Sequence, residues 1–328
     1  MDYNITAEIC PVKYGRKAIC TIISDDGRKQ TVENLSKLAV EFGCKITVAQ
    51  VVKYIENLDI WKGFEQNGNI EFISHSYTHQ RLDNEELSDD ELEHEIMEAK
   101  QFMEANFQTD QIVFIPPNNQ LSDKAYIICK KHFYAIRRWR RLYNFLSPEP
   151  GKDWLQWLNL GCKGIRDVET TDERNRWIDD VLLQKKWLIE MWHDVEMERN
   201  VCGGYQCITV EEARQHLNYV KEQSCKKVLW VAPFTEAVKY IQESQSCSLQ
   251  VSKITKNRWR VFLSSGIAER DYRFDMPLTI KIIVPRKIKK IYGLFENTKL
   301  KLEIQNDMSI QIELRPGESF ELLLCRFF

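Results

Sequence analysis

The stretch Ala18-Ile19-Cys20-Thr21-Ile22-Ile23-Ser24-Asp25-Asp26-Gly27 constrains the fold of this chain more than any other. A short apolar run stops abruptly at two adjacent carboxylates and a glycine. It is too short to cross a membrane and has the length of a buried strand. Gly27 permits a sharp exit turn. Two neighbouring acids at the end of a buried strand cost free energy unless something uses them. Further along, Ile70-Glu71-Phe72-Ile73 runs into Ser74-His75-Ser76-Tyr77-Thr78-His79. An acid at one strand end and two histidines at another are the parts of a metal site with nitrogen and oxygen ligands.

Around these stretches, strand and helix patterns alternate. Helical spacing of apolar residues covers 30–42, and 45–49 reads as a strand followed by a helix over 50–66. After strand 70–73, Ser88-Asp89-Asp90-Glu91 is a capping box with Leu87 and Leu92 set for a hydrophobic staple, opening a helix to Phe107. Strand 111–115 is closed by Pro116-Pro117. Helix 121–131, strand 133–137, an aromatic loop over 143–160, helix 174–184 and strand 187–192 follow. Thr209-Val210-Glu211-Glu212 is a second capping box, opening a helix to 222, before strand 227–231 and helix 234–242. Such alternation argues an α/β fold with a parallel sheet. The diacid, the His pair, the Pro-Pro turn, Arg137 and His193 all fall at or just past the C-terminal end of a strand. That is the active face of a closed barrel.

At 243–248 the character changes to a small polar linker. From Leu249 onward only strand-like runs appear, at 249–254, 258–264, 278–284, 300–304, 309–314 and 319–325. The expected organisation is a barrel over 1–243 and a small antiparallel β-sandwich over 249–328. Acidic and basic residues nearly balance, 48 against 46, so no global field favours nucleic acid or an anionic membrane. No apolar run approaches a transmembrane length. Residues 1–17 lack the charged start and apolar core of a signal peptide. The chain therefore reads as cytoplasmic, or as one whose targeting segment has been removed. The ten cysteines contain no Cys-x-x-Cys and read as mostly buried thiols, with Cys202 and Cys207 close enough in sequence to pair.

Asp26, His75 and His79 supply three ligands with one formal negative charge. That set suits a divalent metal with open positions: Zn2+ first, with Co2+, Ni2+ or Fe2+ as alternatives. Alternation sends the Asp25 side chain to the opposite side of the strand from its neighbour's, so it is a candidate general base toward an attacking water; the alternative is a solvated turn residue. His193 ends an almost wholly apolar strand. It is either a satisfied core residue or a general acid suited to neutral pH. Pro116-Pro117 stiffens the backbone so that the Asn118 N–H could face a developing oxyanion, or forms only a rigid turn.

These residues resemble the motifs of the polysaccharide deacetylases of carbohydrate esterase family 4. Ser24-Asp25-Asp26-Gly27 is similar to the family's Thr-Phe-Asp-Asp-Gly with Ser in place of Phe, and His75-Ser76-Tyr77-Thr78-His79 matches His-(Ser/Thr)-x-x-His. Phe114-Ile115-Pro116-Pro117 resembles Phe-Arg-Pro-Pro without its Arg. Leu188-Ile189-Glu190-Met191-Trp192-His193-Asp194 resembles the last motif, an apolar strand ending in His. The family's Asp-x-x-Asp-Trp motif has no counterpart that can be placed. The resemblance spans residues 15–242. It implies an irregular (β/α)7 barrel, the metal triad, Asp25 as base, His193 as acid and the amide after the Pro pair as oxyanion donor.

Ile115 is the main departure, since the family's Arg there holds the base Asp. Alternation along 133–137 turns Phe133, Ala135 and Arg137 toward the barrel interior. Arg137 is therefore expected within hydrogen-bonding distance of Asp25, and Arg138 on the other side. A merely solvating basic loop is the alternative. Trp139, Tyr143, Phe145, Trp154 and Trp157 offer either a wall for sugar rings or plain packing. The expected activity is metal-dependent removal of acetyl groups from an N-acetylated oligo- or polysaccharide, a hydrolysis of non-peptide C–N bonds. An O-acetyl, acetylxylan-type esterase and a non-catalytic carbohydrate-binding protein on a decayed scaffold are the rival readings.

Overall fold

The computed structural model describes residues 4–67, 69–140, 143–146, 154–165, 169–198, 205–267, 274–295 and 298–325. They form two compact units: Lys17–Val238, and Met1–Arg16 together with Lys239–Phe328. The sequence drew this line later and kept residues 1–16 with the barrel. Instead, strand Thr6–Ile9 pairs antiparallel with Leu278–Ile283. A four-residue strand with no fully buried position carries too little pattern to be read in advance.

In the larger unit seven strands lie in the order Ile70–Ser74, Ile46–Gln50, Ala18–Ser24, Trp187–Trp192, Leu160–Gly164, Ala135–Arg140 and Val113–Phe114. All neighbours are parallel. An eighth strand, Leu229–Val231, pairs with the first half of Ala18–Ser24, while Ile46–Gln50 pairs with its last residues. The seam between Ile70–Ser74 and Val113–Phe114 is bridged by a side chain. Gln111 accepts from Ser74 N–H (3.0 Å) and donates to Phe72 O (2.9 Å). One backbone bond, Ile115 N–H to Ser74 O, joins them at 3.4 Å. The sheet is thus nearly closed, and its edge groups find partners.

Alternation divides each strand between two cores. Ala18, Cys20, Ile22, Val48, Phe72, Leu188 and Trp192 pack outward against the helices, and the other parity faces the barrel interior. The buried Glu71 carboxylate accepts from Thr47 Oγ1 (2.6 Å) and from Phe234 N–H (2.8 Å) at the start of helix Phe234–Ser246. A carboxylate is well matched to a helix N-terminus. Capping boxes start the helices at Ser88, Thr170 and Thr209, each contributing about 1 kcal/mol.

Several local expectations are corrected. Over 50–66 the helix begins only at Leu58, after a 3-10 turn at Val52–Tyr54. The helix opened by Ser88 contains a π turn, His94–Glu98. Phe133 precedes its strand and packs outward with Phe114 and Cys129. The loop 143–160 holds a 3-10 turn, Trp154–Asn159, and leads into the barrel strand Leu160–Gly164. That strand, Leu-Gly-Cys-Lys-Gly, has weak β propensity and is held by neighbours on both sides. Cys10, Cys20 and Cys129 are buried thiols. Burial pushes Cys10 up to about 11 and raises Cys20 and Cys129 well above the ordinary thiol value. Cys207 is disulfide-bonded; Cys202, its expected partner, lies outside the described residues. No helix among the described residues is long and apolar enough to cross a membrane.

The smaller unit holds two antiparallel sheets. One joins Thr6–Ile9, Leu278–Ile283 and Ser309–Leu314. The other runs in the order Ser248–Thr255, Arg258–Ser264, Ser319–Cys325, Lys290–Phe295 and Thr298–Leu302. Buried Trp259, Val261 and Leu263 alternate with less buried Arg258, Arg260 and Phe262, the pattern of a sheet with one apolar face. Lys290–Phe295 was not foreseen, because lysine and glycine interrupt its period.

This unit also buries Glu243, which accepts from Met276 N–H at 2.9 and 3.2 Å. Burial, reinforced by Asp275 and opposed by the Met276 N–H, pushes its carboxyl up to about 8. The folded state therefore holds this proton more firmly than the unfolded chain does. The stability it contributes is complete below about 4.5 and is lost as pH rises to about 8. Glu243→Gln should melt close to the parent at pH 5 and above it at pH 8. Parallel melting curves across this window would contradict the assignment.

Candidate active site

Asp25 and Asp26 leave strand Ala18–Ser24 along a turn that its neighbours hold. Asp25 N–H continues the ladder to Trp192 O (2.8 Å), and Asp26 O accepts from Val51 N–H (3.2 Å). Gln50 Nε2 donates to Gly27 O (3.1 Å) and Val51 O (2.9 Å), and Gln50 Oε1 accepts from Trp61 Nε1 (2.8 Å). Gly27 has φ +69°, and a Cβ there would lie 2.1 Å from Gln50 Oε1. Only glycine fits such a position. Asp26 is itself left-handed, φ 72°. That rotation breaks the alternation, so both carboxylates line one cavity instead of opposite faces.

Arg137, fully buried, reaches Asp25, which is 5% exposed. The guanidinium forms a fork: Nη1 to Oδ1 at 2.8 Å and Nη2 to Oδ2 at 2.6 Å. Its Nε donates to Asn119 Oδ1 at 3.2 Å. Arg138 points away, donating to Leu121 O and lying over the Tyr126 ring. Burial alone would raise the Asp25 carboxyl; the Arg137 charge and hydrogen bonds, together with His75 and His193, outweigh it and hold Asp25 below its ordinary value. The position of the missing motif Arg, Ile115, contributes through its backbone. Its carbonyl accepts from His75 Nδ1 at 2.7 Å, which leaves His75 Nε2 as the lone-pair nitrogen.

His75 Nε2 lies 3.6 Å and His79 Nε2 3.3 Å from the same oxygen, Asp26 Oδ1. The three potential ligand atoms fall within 4.8 Å of one another. Burial would raise Asp26, but the His75 and His79 imidazoles beside it hold it well below the carboxylate range. Asp26 in turn raises His79. Two neutral imidazole nitrogens and one carboxylate oxygen converging on one point fit a divalent cation, Zn2+ included. The tautomer set by Ile115 O is an orienting contact such a ligand requires.

His193 follows strand Trp187–Trp192 and faces the same cavity, of about 210 Å3. Its ring meets Tyr205 edge to face, centroids 5.0 Å apart, and its buried Nδ1 has no hydrogen-bond partner among the described residues. Burial pushes His193 below its ordinary value, while Asp25 and Asp26 pull it upward. Asn118 also lines the cavity. The turn's own bonds come from Asn119 and Gln120 N–H, which leaves the Asn118 amide outside them. Sequence reasoning missed Asn119, Gln50, Met191 and Tyr205. Nothing in their local pattern marks them, since each acts through a partner distant in the chain. Of the aromatic loop, Tyr143 packs in the outer core and bonds Asp180 (3.2 Å), and Phe145 lies under Lys186. Neither they nor Trp157 line the cavity, whereas Tyr205 does. The side chains of Trp139 and Trp154 lie outside the described set.

A nearly closed parallel barrel thus presents a carboxylate and two imidazoles that converge beside an Arg-held aspartate and a histidine at the C-terminal ends of its strands. Residues 13–136 match the family described as polysaccharide deacetylase, and the resemblance drawn from the motifs holds over that segment. Curated proteins offer no match. Among solved structures the chain is similar to the Xyl-CE4 domain of a multidomain xylanase from the hindgut metagenome of Trinervitermes trinervoides (17% identity, TM-score 0.45, covering 67% of this chain and 88% of that one). It is similar to a family 4 acetyl xylan esterase from Clostridium thermocellum in complex with a cobalt ion (14%, 0.45, 67% and 89%). A CE4 family pseudoenzyme from Bacillus anthracis is comparably similar (15%, 0.45, 68% and 66%).

A cation held by the triad would bind in competition with protons. A ligand imidazole must be unprotonated, and Asp26 raises His79, so protons compete with the cation and affinity should rise with pH. Zn2+ titration at pH 6 and pH 8 should show tighter binding at pH 8, near one ion per chain. His79→Ala should lose most of that affinity. Full occupancy in His79→Ala would remove it from the ligand set.

Proposed function

We propose that this chain is a metal-dependent hydrolase that removes acetyl groups from an N-acetylated amino sugar within an oligo- or polysaccharide. One observation carries the reading. The buried fork of Arg137 on Asp25 sits in the same cavity as Asp26, His75, His79 and His193.

Asp26, His75 and His79 would hold the ion, which when bound polarises the acetyl carbonyl and makes water a better nucleophile at neutral pH. Asp25 takes a proton from the attacking water. Arg137 keeps that carboxylate ionised and fixes its orientation, as a bidentate fork can and a point charge cannot. The Asn118 N–H faces the oxygen on which negative charge develops. His193 gives a proton to the departing amine. Met191 and Tyr205 line the cavity with apolar surface and limit water around the reacting groups.

The decayed-scaffold reading rested on the missing Arg at Ile115. A guanidinium supplied by the neighbouring strand supports the catalytic reading instead. Acetate release from chitooligosaccharide, compared with acetylated xylan, tests the substrate. Turnover of xylan alone would transfer the assignment to O-acetyl esters, and turnover of neither by the Zn2+-loaded protein would overturn the hydrolase reading.

Two variants probe the roles. Arg137→Lys should cut kcat/KM by about tenfold or more while metal affinity stays near the parent's. Arg138→Lys should be tolerated. A fully active Arg137→Lys enzyme would show that the fork is not needed. His193 donates only when protonated, so the rate should fall as pH rises through its pKa. His193→Gln should lower kcat by about a hundredfold and flatten that alkaline limb. An unchanged limb would assign it to another group.

A further inference from the structure

The loop that carries His75 and His79 has no regular structure of its own, and it bends through left-handed backbone at Ser76 (φ 67°) and His79 (φ 69°). Such conformations persist in non-glycine residues only when surrounding contacts over-determine them. The His75 end is secured by the barrel: its N–H donates to Gln50 O (3.0 Å) and its ring to Ile115 O. The His79 end lies farther from any strand. Ser76 Oγ accepts from His79 N–H at 3.0 Å, a bond within the loop, and the Val52–Tyr54 turn holds the loop's first half, Val52 N–H donating to Ser76 O (3.3 Å) and Lys53 N–H to Tyr77 O (2.8 Å).

The outside anchor that reaches Thr78, the residue next to His79, is Glu95, which is 1% exposed. Its carboxylate accepts from Thr78 N–H at Oε2 (3.0 Å) and from the Thr78 hydroxyl at Oε1 (2.5 Å). Its backbone carbonyl accepts from Tyr77 N–H at 3.1 Å. The Tyr77 ring also packs against His94, centroids 4.3 Å apart. Glu95 and His94 both lie in the π turn His94–Glu98. A π turn shifts the helical hydrogen-bond ladder locally and is a frequent feature of functional sites. Here the turned segment presents a main-chain acceptor and a carboxylate to the two residues just before His79.

We propose that Glu95 is a positioning residue for the metal ligand His79: the π turn fixes Tyr77 and Thr78, and through them the direction of the His79 imidazole. This rests on the metal site proposed above. It adds a residue that the motif spacing does not include and that lies in a different element, on a helix outside the barrel. Two constraints act on successive peptide units, so the His79 Cα is set relative to Asp26 before any ion arrives. A site held this way binds more tightly because less order is lost on binding.

The test uses the full chain and Zn2+ alone. Dissociation constants come from competition with a chromophoric chelator, ligand geometry from the visible spectrum of the Co2+ form, and folding from apo-protein melting and circular dichroism. Glu95→Ala should weaken Zn2+ by about 10–100-fold, as loss of a group orienting a ligand does, and should alter the Co2+ spectrum. Glu95→Gln keeps an oxygen for Thr78 N–H and should recover most of the affinity. Thr78→Val, which deletes only the hydroxyl bond, should fall between them and serves as the readout if Glu95→Ala does not fold. Parent protein that takes up no Zn2+ would end the metal reading and this inference together. Parent that binds Zn2+, with folded Glu95 and Thr78 variants that bind it equally and give the same Co2+ spectrum, would overturn this inference alone. A drop in melting temperature with unchanged affinity would assign Glu95 to packing only, which also overturns it.

Discussion

A buried pair of opposite charges, the Arg137 guanidinium on the Asp25 carboxylate, sets the terms for the rest of the molecule. Neither group could be desolvated alone, and removing one partner of such a pair costs about 3–5 kcal/mol because the other charge remains buried. The pair is not a neighbour contact within the sheet. Strand Ala135–Arg140 is separated from Ala18–Ser24 by Leu160–Gly164 and Trp187–Trp192, so the fork crosses the barrel interior. It can form only because the sheet curves nearly to closure. The closure in turn depends on Gln111, which bridges the seam where no ladder exists.

The site is built from strained backbone held by ordinary hydrogen bonds. Asp26, Ser76, His79, Asn118 and Asn119 all take positive φ, a region that costs a non-glycine residue about 1 kcal/mol or more. Asn is the residue that tolerates it best, which accounts for two of the five. The others are restrained through Gln50, Ile115 O and Glu95. The division of labour at Ile115 follows from the same geometry. Its side chain cannot hydrogen-bond, but its carbonyl sets the His75 tautomer, while the charge it lacks enters from the adjoining strand. A motif position and a motif function have separated, and the cavity still receives its guanidinium.

Much of this was legible in the chain. Apolar runs of strand length, each ending in a chemically costly residue, located Asp25, Asp26, His75, His79 and His193 without any contact information. The alternation read over 133–137 aimed Arg137 inward and Arg138 outward, although Phe133 lies before the strand and packs outward. Where the pattern was thin, reading failed. Leu160–Gly164 carries two glycines and a lysine, Lys290–Phe295 breaks its own period, and Thr6–Ile9 is too short to show one. Each is a strand because of its partners in the sheet, and a partner distant in sequence leaves no local trace.

By itself, then, the sequence determined which residues are candidates for chemistry and which strand ends present them. Side-chain alternation and the free-energy cost of charge at a buried strand end are local properties, written in adjacent residues. Only the tertiary structure decided that Asp26 turns against that alternation to join Asp25 in one cavity. It alone decided that Thr6–Ile9 completes a sheet with Leu278–Ile283, that Tyr205 meets His193, and that Gln50 and Glu95 hold the loops of Asp26 and His79. These depend on φ values and hydrogen bonds imposed by packing between segments far apart in the chain, where the free energy of a contact belongs to the pair and to neither residue alone.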